Sequence, residues 1–326
     1  MAPPVSRRSF PAMSTTVELT GVGIADRDLD QAAGLARLLA EEWERRFSRF
    51  RPESQLSRLN AANGEPCSAD DTFLGLLETA ISAVQRTSGR FDPSVLPALE
   101  ALGYDRGIDR LKAAPPSIRI PEPLPGAGVS GWDLVQIDRD KGQVTLPPGM
   151  RIDLGGIAKG AFADLLAGEF AAWPGGSVDV GGDLVVWGAG PGETCWAIGI
   201  EDPAHPERDA LVIQAPEASQ VGIATSGTHR RRWRAGSQEF HHLIDPRTGL
   251  PTRGGMRSVT ALAPTATVAE IAAKSMLIAA DEPPLSDLFG ASVAALASAN
   301  GHVELLTSVA SDNDGIEPLT SIWRAT

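Results

Sequence analysis

From about residue 134 onward the chain breaks into short apolar runs separated by Gly, Pro, Asp and Asn at turn positions. Such punctuation leaves hairpins as the main way to pair backbone. Residues 134–138 and 143–146 flank Arg139-Asp140-Lys141-Gly142 as one expected hairpin, with a further strand at 151–154. More strands are expected at 177–180, 184–187, 195–200, 211–214, 220–224, 230–234, 239–244, 258–263 and 303–306, after a first strand within 14–23. Helical spacing instead comes in blocks. Leu35, Leu38, Leu39, Trp43 and Phe47 follow a possible cap at Asp30, and Leu74, Leu77, Ile81 and Val84 precede a stop at Ser88-Gly89. One helix starts near Ile157, and two late ones are expected over 268–280 and roughly 286–299. Hairpins with blocks of helices define an α+β class of mixed or antiparallel sheets with packed helices, not a regular βαβ alternation. The polar stretch 51–69 reads as loop. Residues 106–132, rich in Pro and Gly, read as a long surface excursion with room for short helical turns.

With 326 residues and 42% hydrophobic content the chain can bury a substantial core, its length allows either one large unit or two domains, and it reads as soluble and globular. Its net charge of −12 argues against a nucleic-acid or anionic-membrane surface. A phosphate-bearing ligand therefore needs local positive charge. Cys67 and Cys195 are far apart and read as reduced packing residues. Ser6-Arg7-Arg8-Ser9-Phe10 imitates a twin-arginine signal, but polar alternation follows it where an apolar stretch would be needed. No run approaches the ~18 apolar residues of a membrane span, so the expected location is the cytoplasm, without membrane partners.

Three glycine- or histidine-bearing segments could carry chemistry. His241-His242 stand before Asp245-Pro246-Arg247-Thr248-Gly249, pairing imidazoles that titrate near neutrality with ordinary turn chemistry. Arg151 to Gly160 runs through Gly155-Gly156 into a helix bearing Lys159 and Asp164. The glycines let a ligand approach the backbone, the helix start offers N–H groups to an anion, and Lys159 adds a cation. The spacing is not that of a Walker motif, and Asp153 suits a ring N–H or ribose hydroxyl better than a phosphate. Val180-Gly181-Gly182-Asp183 is a second glycine pair before a carboxylate, with no chemistry specified by its sequence. Arg230-Arg231-Arg232 reads as a solvated edge strand. Thr267-Val268-Ala269-Glu270 has the form of a capping box, and Lys274 follows Glu270 at the spacing of an intrahelical ion pair.

Taken together, seven segments resemble the FAD:protein FMN transferases of the ApbE type. They are Met13 to Thr16, Phe47 to Phe50 with Ser54 to Asn60, Gly89 to Pro93, Asp153 to Gly160 with Asp164, Val180 to Asp183, Thr225 to Gly227, and His242 to Pro251, in the family's order. The resemblance implies that residues 1–326 form a single catalytic module with an ApbE-like fold and FAD held between its two halves. It implies cleavage of the FAD pyrophosphate with divalent-metal help, usually Mg2+, and attachment of FMN through a phosphoester to a threonine or serine hydroxyl of a target protein, with release of AMP. Met13, Phe50, Arg90, Phe91, Asp92, Asp153, Lys159 and Ile244 match flavin-nucleotide contacts. Phe50 stands where tyrosine is common, which keeps a stacking face and drops a hydroxyl. His242 matches the histidine that assists the acceptor hydroxyl, as base or by positioning it, and Lys159 is the second catalytic expectation.

The metal positions depart from that pattern. The family commonly sets an Asp and, four residues on, a Thr on the late helix, joined by an oxygen from the Asp153 loop; here these are Glu270, Lys274 and Gly156. Glu keeps a hard oxygen ligand, whereas Lys removes one and adds a charge. A dication ~4 Å from an ammonium meets repulsion of about 8 kcal/mol, twice the unit-charge value at an effective dielectric near 20. Either Lys274 supplies the charge in the metal's place or it swings clear of a weakened Mg2+ site. Two alternatives to the transferase follow: an FAD pyrophosphatase giving FMN and AMP, and a non-catalytic flavin-binding protein with a degenerate metal site.

Overall fold

The computed structural model describes residues 3–113, 131–192, 195–216, 220–235, 238–282, 285, 287–288, 291–292, 294–299 and 302–305. The chain divides into two compact units: residues 1–40, 159–227 and 254–326 form one, and 41–158 with 228–253 the other. No helix among the described residues is long and apolar enough to cross a membrane.

The first unit is built on an eight-stranded antiparallel sheet. Its spatial order is Val5–Ala12, Thr15–Val22, Gly175–Val180, Asp183–Gly188, Val221–Gly227, Ser258–Ala263, Ala294–Ala299 and His302–Leu305. Three of its neighbouring pairs are direct hairpins, Val5–Ala12 with Thr15–Val22, Gly175–Val180 with Asp183–Gly188, and Ala294–Ala299 with His302–Leu305, and the other neighbours are reached through longer connections. The intervening hairpin of Cys195–Asp202 and His205–Pro216 sends Trp196, Ile200, Ile213 and Ala215 into a core with Val22, Val186, Val221, Ile223 and Leu262. Helix Ala266–Ile278 packs on strands Val221–Gly227 and Ser258–Ala263. Gly222 is what permits that approach, since a Cβ there would meet the Thr265 carbonyl carbon at 2.0 Å.

Two expectations are corrected in this unit, the helix over 286–299 and the cap at Asp30. Residues 294–299 form a strand, not the helix expected over 286–299. An Ala-rich run favours helix locally, but Ser258–Ala263 would otherwise leave its backbone groups unpaired, and Ala294–Ala299 pairs with it through Thr260↔Leu296 and Ala261↔Ala295. The arginine pair near the start lies in the edge strand Val5–Ala12, where Arg8 meets Asp30 at 2.5 Å and Asp26 at 3.4 Å. Asp30 is therefore an ion-pair partner and no cap. The helix begins at Asp26 and runs to Phe47; Ala33, Ala36 and Ala40 set its buried face with Leu29, leaving Leu35 and Leu38 exposed.

The second unit gathers helix Asp71–Arg86, capped by the Asp70 carboxylate on the Phe73 N–H at 2.9 Å, and a three-stranded sheet of Cys67–Ser68, Gln143–Thr145 and Gln136–Asp138. Leu99, Leu102, Tyr104, Leu111, Trp233, Phe240 and Ile244 form one of its cores. The polar stretch 51–69 contains helix Gln55–Ala61, whose cap Ser54 is fully buried and accepts from the Ser57 N–H at 3.0 Å. Residues 151–154 form no strand, because the Asn60 side chain takes the place of a pairing strand: its amide donates to the Ile152 carbonyl and its oxygen accepts from the Ile152 N–H, both at 2.8 Å. Within the expected excursion, helix Ile108–Ala113 is a short helical turn, while residues 114–130 lie outside the described residues.

Candidate active site

In the first unit the motif residues collect at one end of the large sheet. Met13 and Ser14, at φ 51° and 56°, turn the first hairpin, and Gly181 and Gly182, at 63° and 95°, turn the next. Left-handed backbone is ordinary for the glycines and costs energy at Met13 and Ser14, as happens where local geometry is held for a purpose. The turns touch: the Gly181 N–H donates to the Thr16 carbonyl at 3.1 Å, and a Cβ on Gly181 would meet the Thr15 hydroxyl at 2.2 Å.

Asp183 follows that turn directly and is 1% exposed. The Lys159 ammonium, from the first turn of helix Ala158–Glu169, pairs with the Asp183 carboxylate and with Glu270 Oε1 at 3.0 Å. Glu270 Oε2 accepts from the Gly160 N–H at 2.9 Å. The expected capping box is therefore not what forms. Thr265 caps its own helix by accepting from the Val268 N–H, while Asp164 accepts from the Ala266 N–H at 2.8 Å, the Thr267 N–H at 2.8 Å and the Thr267 hydroxyl at 2.5 Å. A carboxylate from another helix supplies the partners that the local sequence pattern assigns to Glu270, and Glu270 is freed to meet Lys159.

Burial, reinforced by Glu270, pushes the Asp183 carboxyl up to about 7 even though Lys159 and Lys274 pull it down. Burial also works to raise Glu270, but Lys159, Lys274 and the Gly160 N–H together outweigh it and hold that carboxyl below its ordinary range. Breaking such a buried pair by deleting one member costs ~3–5 kcal/mol, so the cluster fixes its geometry firmly. Among the described residues no group of three or more His, Cys, Asp or Glu is arranged to hold a metal ion.

In the second unit Asp153 is oriented from both sides. Its Oδ1 accepts from the Gly155 N–H at 2.8 Å, and its Oδ2 lies 3.2 Å from Arg49 Nε. The Arg49 guanidinium, 6% exposed, lies over the rings of Phe50 at 4.2 Å and Tyr104 at 4.6 Å, and Tyr104 stacks on Trp233. Phe50 itself is 40% exposed. Asp92 Oδ1 accepts from the Ser94 N–H, the Ser94 hydroxyl and Trp132 Nε1 at 2.8–3.0 Å, and the Asp153 N–H donates to the Pro93 carbonyl, which links the 89–93 and 153–160 motifs. Phe91 is buried, with its N–H on the Thr87 hydroxyl.

The two histidines differ. His241 is buried, its Nε2 lies 3.1 Å from the Thr252 carbonyl, and burial lowers its pKa below the ordinary value. His242 is half-buried. The turn after it is locked by Asp245, which accepts from the Arg247 N–H and pairs with the Arg247 guanidinium at 2.8 Å, while Ile244 is buried against Trp233 and Phe240.

Of the residues expected from sequence, Met13, Lys159, Glu270 and Lys274 belong to the first unit, where Lys159 and Glu270 meet. Phe50, Arg90, Phe91, Asp92, Asp153, Gly156, His242 and Ile244 belong to the second. Sequence reasoning left Asp183 without chemistry and gave Arg49 and Asn60 no role. A carboxylate directly after a glycine-pair turn was the available signal for Asp183; Arg49 and Asn60 act through partners about a hundred residues away, for which one sequence carries none.

A model of the ApbE family matches residues 13–286. The chain belongs to the ApbE family. It is 30% identical over 260 residues to the FAD:protein FMN transferase of Treponema pallidum, covering 74% of this chain and 69% of that protein. It is 28% identical over 281 residues to the FAD:protein FMN transferase of Vibrio cholerae, covering 84% and 81%. The crystal structure of the ApbE protein from Thermotoga maritima superposes with a TM-score of 0.76 at 25% identity, covering 93% of this chain and 97% of that one. The α+β class and ApbE-like fold read from sequence are those of this ApbE family member.

Proposed function

We propose that this chain is an FAD:protein FMN transferase, which joins FMN to a threonine or serine hydroxyl of a target protein and releases AMP. The observation that carries the reading is the match, over more than two thirds of both chains, to relatives bearing that activity's name. In the reaction the hydroxyl oxygen attacks the FMN phosphorus, the pyrophosphate P–O bond to the AMP phosphate breaks, and the hydroxyl proton must leave. His242 takes or positions that proton, a role supported by the commitment of its neighbour His241 to the Thr252 carbonyl. Phe50, half-exposed above the Arg49 guanidinium, offers the isoalloxazine a stacking face, and Asp153 and Asp92 arrive already oriented for polar flavin or ribose groups. Met13, Arg90, Phe91 and Ile244 complete the flavin-nucleotide contacts, and Lys159 belongs to the phosphate end. A bound Mg2+ would supply charge neutralisation at the pyrophosphate, but the donor set does not suit one: both Glu270 oxygens and one Asp183 oxygen are already engaged by the chain's own N–H groups.

The test is incubation with FAD and a protein bearing an accessible acceptor threonine, followed by intact mass and nucleotide analysis. An FMN increment on the acceptor with stoichiometric AMP is expected, reduced at least about 100-fold in His242→Asn and by far less in His241→Asn. Free FMN and AMP with an unmodified acceptor would make the chain a pyrophosphatase. Unchanged FAD would leave a binding protein.

A further inference from the structure

We infer that Lys159 and Lys274, set against Asp183 and Glu270, stand in the place of a divalent cation, so that this protein binds none there and transfers FMN without one. The half concerning transfer rests on the function proposed above; the half concerning cation binding does not.

Three features support the inference. First, three of the four carboxylate oxygens are engaged by the chain's own donors. Glu270 gives Oε1 to the Lys159 ammonium and Oε2 to the Gly160 N–H, while Asp183 gives Oδ2 to Lys159. Mg2+ and Mn2+ demand several unengaged oxygens in near-octahedral array, and these oxygens have other partners. Second, the charges balance. Lys274 lies one helical turn beyond Glu270 on the same face, and its charge acts on both carboxylates. Two ammoniums set against at most two carboxylate charges leave no net negative charge to attract a dication. Third, the arrangement is rigid. Asp183 and Glu270 are almost fully buried, and Gly160 and Glu270 are held where two helix N-termini meet, with Asp164 fastening the second helix to the first. An ion could enter only by dismantling contacts that the fold itself maintains.

Lys274 is the residue whose replacement should reopen the site. A threonine there would remove the ammonium that opposes a dication and put a neutral oxygen on the same helix face as Glu270. The experiment uses the full chain, freed of metal by chelation, with Mn2+ as probe and free Mn2+ read by electron paramagnetic resonance. The wild type is expected to bind no Mn2+ at this site up to millimolar concentration. Lys274→Thr is expected to bind one per chain, at least about tenfold more tightly than the wild type, with that binding abolished by adding Glu270→Gln. Lys274→Gln serves as a second variant that removes the charge if the threonine chain folds poorly, and it too should gain Mn2+ affinity. One tightly held Mn2+ in the wild type, lost in Glu270→Gln, would overturn the inference, as would Lys274 variants that fold and gain no affinity. In parallel, wild-type FMN transfer should change less than about twofold between excess chelator and excess Mg2+; a loss of tenfold or more in chelator overturns the transfer half. Absence of transfer under both conditions would overturn that half together with the proposed function, while the Mn2+ titration still decides the cluster.

Discussion

Gly160→Ala separates helix propensity from packing in this fold. Gly160 lies in helix Ala158–Glu169, where replacing glycine by alanine in an interior position favours helix by ~1 kcal/mol. The surroundings oppose the gain. A Cβ at residue 160 would lie 2.6 Å from the Ala266 carbonyl oxygen, 2.8 Å from its carbon and 2.9 Å from the Thr267 nitrogen. These are backbone atoms at the start of helix Ala266–Ile278, pinned by the Asp164 carboxylate at 2.8 Å to both the Ala266 and Thr267 N–H groups, so they cannot yield as a side-chain tip would. Overpacking of this kind costs ~1–3 kcal/mol. Separating the two helix starts would also stretch the 2.9 Å bond from the Gly160 N–H to Glu270, worth ~1.5–3 kcal/mol as a bond to a charged group. The penalties exceed the propensity gain, and a net loss of about 1.5–5 kcal/mol is expected. Urea unfolding followed by circular dichroism measures it, with Gly34→Ala and Gly168→Ala as controls, since each of those helical glycines has nothing within 4 Å of its missing Cβ. The controls should gain up to ~1 kcal/mol. Gly160→Ala as stable as the wild type would refute the close approach of the two helices.

Asp164→Ala should destabilise by about 2 kcal/mol, because it strips two helix N–H groups and a hydroxyl of their acceptor; Asp164→Asn, keeping one acceptor oxygen, should lose about half as much in the same urea assay. His241 has its pKa lowered by burial, so the unfolded chain binds the extra proton; its contribution is present above the ordinary value of 6.5 and lost as pH falls. His241→Gln, which can still donate to the Thr252 carbonyl, should therefore flatten the fall in stability between about pH 7 and 5, and an unaltered pH profile would contradict the burial argument. Arg49→Met should cost ~1.5–3 kcal/mol by leaving Asp153 without its guanidinium, and pairing it with Asp153→Asn should cost clearly less than the sum of the two, whereas strict additivity would dismiss the ion pair.

Much of the architecture was legible because it is local. The turn residues 139–142, the glycine pair at 181–182 and the apolar run Ser258–Ala263 each carry their own backbone instructions, whereas the hairpin that brings Val5–Ala12 against Thr15–Val22 turns at Met13-Ser14, which have no glycine to announce it. The stretches that misled are those where local preference is weak or is satisfied from elsewhere. Ala294–Ala299 has the composition of a helix and becomes a strand because a neighbouring strand needs a partner. Residues 151–154 have the apolar content of a strand and form none because the Asn60 side chain occupies the backbone groups that pairing would use.

The same division runs through the site. By itself the sequence determined the family, the residue types available for flavin and phosphate, and the replacement of an expected oxygen ligand by Lys274. Only the tertiary structure decided what those residues do to one another. Thr267 to Glu270 spells a capping box, yet Asp164 reaches across from a separate helix to satisfy those N–H groups, and Glu270 closes on Lys159 beside Asp183. The reason is physical: a buried carboxylate takes its character from the charges and donors within a few ångströms, and here the decisive ones come from residues 24 to 111 positions away.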